Sequence, residues 1–185
     1  MKAIVYASQT GFTEKYAKIL ADKVNIPAYS VKEAAKQLPA GTDIFYMGWL
    51  KAGELQSLRS VVERYKIRGA AIVGMSPTGN GTLWTEARIN GGTSDSGARL
   101  FYLQGGYAPE KLKGLNRFLM KMTTRSVIKQ LETLGDRQTE RDKDMLELYR
   151  NGGDRVREEA LDEIVTWFKE GPHDCVLTIT ETVDI

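Results

Sequence analysis

Lys2-Ala3-Ile4-Val5-Tyr6-Ala7-Ser8-Gln9-Thr10-Gly11-Phe12-Thr13 decides how the rest of the chain is read. Its first half is a short, mostly apolar run of the kind that forms a strand buried on both faces. Its second half is a hydroxyl-rich turn with one glycine. A helical pattern then begins, with Phe12, Tyr16, Leu20 and Val24 four residues apart. A buried strand, such a turn and a helix start make a place to hold a phosphate. The helix start offers unpaired N–H groups and the positive end of the macrodipole. Ser8, Thr10 and Thr13 add hydroxyls, and Gly11 permits close backbone approach. The competing reading is plain capping, in which Thr10 or Thr13 serves only the helix end. No Gly-Lys-Ser/Thr follows, so no lysine in this loop waits for the outer phosphates of a triphosphate. The three spaced glycines of a dinucleotide fingerprint are missing too. A neutral loop of this type suits one terminal phosphate.

Outward from that loop, strand and helix patterns alternate. Ile26–Val31 is expected to be a strand, placed at an edge by Pro27; a brief helix, Lys32 to Leu38, stops at Pro39. Asp43–Leu50 reads as a buried strand and Lys51–Glu54 as a loop. Leu55, Leu58, Val61, Val62 and Tyr65 then share a helical face, with Gly69 expected to end that helix. Ala70–Met75 is the next strand, and Ser76-Pro77-Thr78-Gly79-Asn80-Gly81-Thr82 its loop. Trp84 and a short helix lead into the glycine-rich stretch Asn90–Gly97. A last strand lies within Arg99–Tyr107. Such alternation predicts an α/β fold with a parallel sheet covered on both faces. Ligands bind such sheets beyond the carboxyl ends of the strands. The loops after Ala7, Trp49 and Met75 are therefore expected to meet.

The remainder is helical in pattern. Lys113, Arg117, Lys121, Arg125 and Lys129 fall four residues apart, with Leu115, Phe118, Leu119 and Met122 on another face. This cationic stripe could rest on anionic lipid or take an acidic partner; otherwise it belongs to a docked helix with its charges in water. Asp136–Asp144 is densely charged with both signs and reads as a solvated bend or helix start. Asp154 is expected to cap a final amphipathic helix that ends at Gly171-Pro172. Cys175–Val183 reads as an edge strand or a loose tail.

At 185 residues, 42% hydrophobic and 27% charged, the chain is expected to form one domain, residues 1–185. The net charge of +2 calls for no nucleic acid or other polyanion. One cysteine, Cys175, excludes an internal disulfide, and one histidine, His173, argues against a zinc site or a histidine-dependent triad. No metal site is expected. The opening residues run straight into the first strand, which argues against a signal peptide and for a cytoplasmic location. Related architectures fail on chemistry. A receiver domain needs an aspartate at the end of its third strand, where this chain has Gly48-Trp49-Leu50. A low-molecular-weight phosphatase needs a cysteine where Ser8 stands.

The motif Ser8-Gln9-Thr10-Gly11-Phe12-Thr13 resembles the phosphate loop of flavodoxin-like proteins, Ser/Thr-x-Thr-Gly-x-Thr. Gly74-Met75-Ser76-Pro77-Thr78-Gly79-Asn80-Gly81 resembles the loop that family folds along the flavin edge. The resemblance covers residues 1 to about 110 and resumes in the last helix. It implies a doubly wound five-stranded parallel sheet in the order 2-1-3-4-5, FMN as cofactor and electron transfer through it. Ser8, Gln9, Thr10, Gly11, Phe12 and Thr13 would hold the phosphate. Trp49, Leu50, Lys51, Ala52 and Gly53 would face the reactive edge of the flavin. Ser76 to Gly81 would cover its other side, with Trp84 as a stacking partner. Lys51 departs from the acidic surroundings usual in carriers and would raise the flavin potential. No side chain stands out as a general acid or base, so no catalytic residue is assigned.

From Gly105-Gly106-Tyr107 through Leu115–Met122 the chain resembles one branch of that superfamily, the quinone-dependent protoporphyrinogen dehydrogenases. Residues 108–150 would then be an added helical segment. That branch works at the membrane surface, which implies a quinone as electron acceptor and peripheral contact through residues 111–129 with the inner face of the membrane. The alternatives are an FMN carrier serving a redox partner protein, and a fold that has lost its flavin and serves as an interaction module.

Overall fold

The computed structural model describes residues 1–51, 54–77, 98–171 and 173–178. Its centre is a parallel sheet of five strands: β1 (Ala3–Tyr6), β2 (Ala28–Ser30), β3 (Asp43–Lys51), β5 (Lys66–Gly74) and β6 (Arg99–Gln104), in the spatial order β2-β1-β3-β5-β6. Counting these strands alone, the order is 2-1-3-4-5, the order that the resemblance implies, in the parallel sheet that the alternation predicts. A two-residue strand, β4 (Glu54–Leu55), folds back antiparallel on the end of β3.

Helices α1 (Phe12–Val24), α2 (Val31–Gln37) and α3 (Leu58–Val62) follow β1, β2 and β4. After β6 the chain makes β7 (Gly106–Tyr107), a 3-10 turn at Pro109–Lys111, α4 (Gly114–Glu132) and α5 (Glu140–Asn151). It returns through β8 (Gly153–Asp154), paired antiparallel with β7, to α6 (Asp162–Lys169).

Strand alternation builds two cores on one sheet. Ile4, Phe45, Val73 and Leu103 face α1 and α6, where Tyr16, Leu20, Ile164 and Trp167 close the layer. Val5, Tyr46, Ile72 and Tyr102 face the opposite way, against Ala34, Val61 and Tyr65. With both faces covered, the strands need apolar residues at every position, which is why β1 reads as one unbroken run. A third cluster joins α4 and α5 to the sheet end through Leu131, Leu148, Tyr149 and Tyr107.

Four expectations need correction. Gly69 does not end a helix but lies inside β5, which begins four residues earlier than its apolar run suggests. A Cβ there would come within 2.6 Å of the Trp167 ring, so the position is reserved for α6 packing. The β3–β5 register slips beside it, with Ile44 opposite Ile67 and Phe45 opposite Gly69. The helix expected over Leu55–Tyr65 shrinks to Leu58–Val62, because Leu55 pairs with Leu50 and the Tyr46 hydroxyl, donating to the Gln56 carbonyl, pins the hairpin. The loop expected at Lys51–Glu54 is narrower, since Lys51 and Glu54 are paired strand residues. Asp154 caps no helix. It lies in β8, accepts from the Val156 N–H at 2.8 Å and pairs with Lys15 at 2.7 Å, while α6 starts only after a 3-10 turn at Glu158–Leu161.

The tail does not form a strand through the described residues 173–178. Leu177 is nevertheless buried, and its N–H donates to the Ile67 carbonyl. The short helix after Trp84 and the stretch Asn90–Gly97 lie outside the described residues.

Candidate functional site

The turn after β1 is built by Gly11. It adopts φ +97°, a left-handed conformation that favours glycine, and occupies the N-cap of α1. No side chain caps this helix. The capping reading of Thr10 and Thr13 is thereby overturned: the Ser8 hydroxyl accepts from the Gly11 N–H at 3.2 Å, and the threonines serve no helix end. Thr13 is 2% exposed.

Thr13 lines a cavity of about 410 Å³ at the carboxyl ends of the strands. Gln9, Thr10 and Phe12 share that wall. Trp49 and Leu50 come from the end of β3, and Val73, Gly74, Met75 and Ser76 from the end of β5. The lining is mostly apolar, with hydroxyls and amides gathered at the α1 end. A volume of this size lies within the range of small-molecule sites. The three loops thus meet as the topology requires, at the crevice where strand order reverses on either side of β1 and β3.

No family model, curated protein or solved structure matches this chain. The site must be read from its own geometry.

The far wall is one that sequence reasoning missed. Tyr102, Gly105, Gly106, Tyr107, Ala108 and Leu112 line it, joined by Met120 of α4 and Tyr149 of α5. Gly105-Gly106-Tyr107 is conspicuous in the sequence, yet nothing there assigns it to a cavity. Tyr149 carries no sequence signal at all, because its position depends on how α5 packs beneath Tyr107, ring edge to ring face at 6.2 Å.

Hydrogen bonds hold this wall in place. The Tyr102 hydroxyl donates to the Ser76 carbonyl at 2.9 Å, and Arg141 of α5 donates to the Pro77 carbonyl at 3.0 Å. The Tyr16 hydroxyl donates to the Gln104 carbonyl at 2.8 Å and accepts from the Arg157 N–H at 3.1 Å. Burial pushes the Tyr16, Tyr102 and Tyr149 hydroxyls above the ordinary phenol range. All three are therefore neutral donors at physiological pH, not bases.

The electrostatics at the α1 end also differ from the sequence expectation. Lys111, 101 positions beyond Thr10, places its ammonium against the loop and donates to the Thr10 carbonyl at 3.2 Å. It also lies 5.8 Å from the Phe12 ring centroid. Nothing in the sequence connects residues so far apart. Nearby, Asp154 is pushed up by burial, but hydrogen bonds from Lys15 and the Val156 N–H outweigh this and hold it below the usual carboxylate range.

Of the residues expected at the site, Gln9, Thr10, Phe12, Thr13, Trp49, Leu50 and Ser76 line the cavity. Ser8 and Gly11 shape its loop, while Pro77 is absent from the lining and offers its carbonyl to Arg141. Lys51 is placed only as a backbone position at the end of β3. Ala52, Gly53, Thr78, Gly79, Asn80, Gly81 and Trp84 lie outside the described residues. Among the described residues no cluster of His, Cys, Asp and Glu could hold a metal ion, and no helix is long and apolar enough to cross a membrane.

Proposed function

We propose that the chain is a flavodoxin-like protein that binds FMN in this cavity and transfers electrons through it. The observation that carries the reading is a mostly apolar cavity closed at one end by the head of α1, with Thr10 and buried Thr13 in its lining. A ligand with an anionic end and a flat apolar body satisfies both parts. The residues present fit FMN on those grounds. Ser8, Thr10, Thr13 and the first N–H groups of α1 would hold the phosphate. Trp49, Leu50, Met75 and Tyr149 would enclose the ring system and exclude water. Bound FMN would supply one- or two-electron transfer, the protein contributing binding and tuning. The neutral tyrosines would offer the flavin hydrogen bonds and no proton-abstracting group. The visible spectrum of the purified protein tests this first. Oxidised flavin absorption in near-stoichiometric amount is expected, either as isolated or after adding FMN; a protein that stays colourless in both cases overturns the reading.

A second reading is favoured by one surface. Leu115, Phe118, Leu119 and Met122 of α4 are 69, 60, 45 and 56% exposed, and they are the large hydrophobic side chains that stand exposed among the described residues. α4 does not dock through this face. It packs through Met120, Thr124, Val127, Ile128 and Leu131 instead. Arg117, Lys121, Arg125 and Lys129 are exposed beside the apolar face. This pattern suits an anionic lipid surface, and with it a membrane-associated dehydrogenase that oxidises protoporphyrinogen IX and passes electrons to quinone. The carrier reading instead requires a redox partner protein. Anaerobic turnover of protoporphyrinogen with a quinone analogue separates the two: turnover supports the dehydrogenase, and its absence in the presence of bound FMN favours the carrier.

A further inference from the structure

We propose that Lys111 is the phosphate-binding cation of this site and the residue that makes it prefer a phosphorylated flavin over the unphosphorylated one. The inference rests on the FMN reading and goes beyond it, since the loop after β1 contains only neutral donors. The 3-10 turn Pro109–Lys111 is fixed on both sides, by buried Ala108 before it and buried Leu112 after it. Those two neighbours line the cavity, so the turn that carries Lys111 is itself part of the wall. The ammonium reaches back over the loop, 3.9 Å from where a Cβ on Gly11 would sit.

Its direct contacts are both neutral, the Thr10 carbonyl and the Phe12 ring, and the carboxylate it acts on at longer range is Asp154. No carboxylate lies within 4.0 Å of it among the described residues, although the chain carries 24 acidic side chains. Asp154 is already matched by Lys15 and by the Val156 N–H. With Lys15 and Lys111 both acting on the single carboxylate of Asp154, the head of α1 holds one positive charge in excess. An exposed lysine gains little from a lone carbonyl and gives up side-chain freedom to reach it. A phosphate dianion supplies both the charge and the acceptors that this geometry leaves unused, through a charge-assisted hydrogen bond. Riboflavin, which has the same ring system without the phosphate, gains nothing from Lys111.

The test is titration of the full chain, freed of bound ligand, with FMN and separately with riboflavin, for the wild type, Lys111→Gln and Lys111→Arg. Lys111→Gln is expected to weaken FMN binding about tenfold. It should leave riboflavin unchanged and flatten the salt dependence of FMN binding. Lys111→Arg, which keeps the charge, should retain most of the preference. FMN affinity untouched by Lys111→Gln overturns the inference while leaving the FMN reading standing. Equal weakening of both flavins also overturns it, because the turn would then act as a wall and not as a charge. A wild type that takes up neither flavin overturns the FMN reading, and this inference with it.

Discussion

Helices α1 and α4 both carry large apolar residues at helical spacing, and the fold treats them in opposite ways. Tyr16 and Leu20 of α1 are fully buried against the sheet, while Leu115, Phe118, Leu119 and Met122 of α4 stand in solvent. The cause is what each helix has available to cover. α1 follows β1 by a tight turn and must cross back over the sheet, so its apolar face has one place to go. α4 follows the edge strand β6 and reaches the body through a different stripe, Met120, Val127, Ile128 and Leu131. Periodicity in a sequence marks a helix and its apolar faces. It does not say which face the protein itself will use.

The largest effect should come from breaking the buried member of this pair. Leu20→Ala in α1 should cost about 2–5 kcal/mol of stability in urea denaturation. Phe118→Ala in α4 should stay within about 0.5 kcal/mol of the wild type, because its side chain already faces water. A comparable loss from both would mean that the α4 face is covered by something the isolated chain supplies. The same face is sharpened by replacing Leu115, Phe118, Leu119 and Met122 together with serine. Sedimentation with anionic vesicles at low salt should drop from measurable to background, with denaturation unchanged; undiminished sedimentation would assign any lipid contact to another surface.

Thr13→Val removes the hydroxyl at nearly constant shape. FMN binding should weaken by about 1 kcal/mol or more, while stability without ligand should change by less than about 1 kcal/mol, because the side chain keeps its volume. A loss of stability with FMN affinity intact would make Thr13 a structural residue. The smallest effect belongs to Asp154→Asn. The depressed carboxyl stabilises the fold above its unfolded pKa, and that contribution fades as pH falls through the lower folded value. Discounted for its half-exposed pair with Lys15, the loss at neutral pH should be below about 1 kcal/mol. It should vanish in acid, where the wild-type carboxyl is protonated too; a difference that grows on acidification would contradict the assignment.

How much of this could be read in advance follows from chain separation. The parallel sheet, the edge position of β2 and the turn at Gly11 were legible, since unbroken apolar runs, an edge proline and single-glycine turns are local signals, while the strand order came only with the resemblance. The hairpin at β4 was hidden because Leu55, Leu58, Val61 and Tyr65 keep helical spacing across a strand, a short helix and a bend. Gly69 looked like a helix stop because a glycine reserved for Trp167 is indistinguishable, in one dimension, from one reserved for a turn. At the site, the α1 wall was legible as a motif. The opposite wall was not, because Met120 and Tyr149 arrive through the packing of α4 and α5, and Lys111 reaches the α1 loop from a distant 3-10 turn, none of which a local pattern encodes.

The central claim is that the head of α1 holds the phosphate of a flavin mononucleotide. Fluorescence titration of FMN into the wild type and into a Thr10→Ala/Gly11→Ala double variant tests it most directly. The account predicts one FMN bound per wild-type chain, with quenched flavin emission, and a large loss of affinity in the double variant. Equal affinity in the two proteins, or no binding by the wild type, would contradict it.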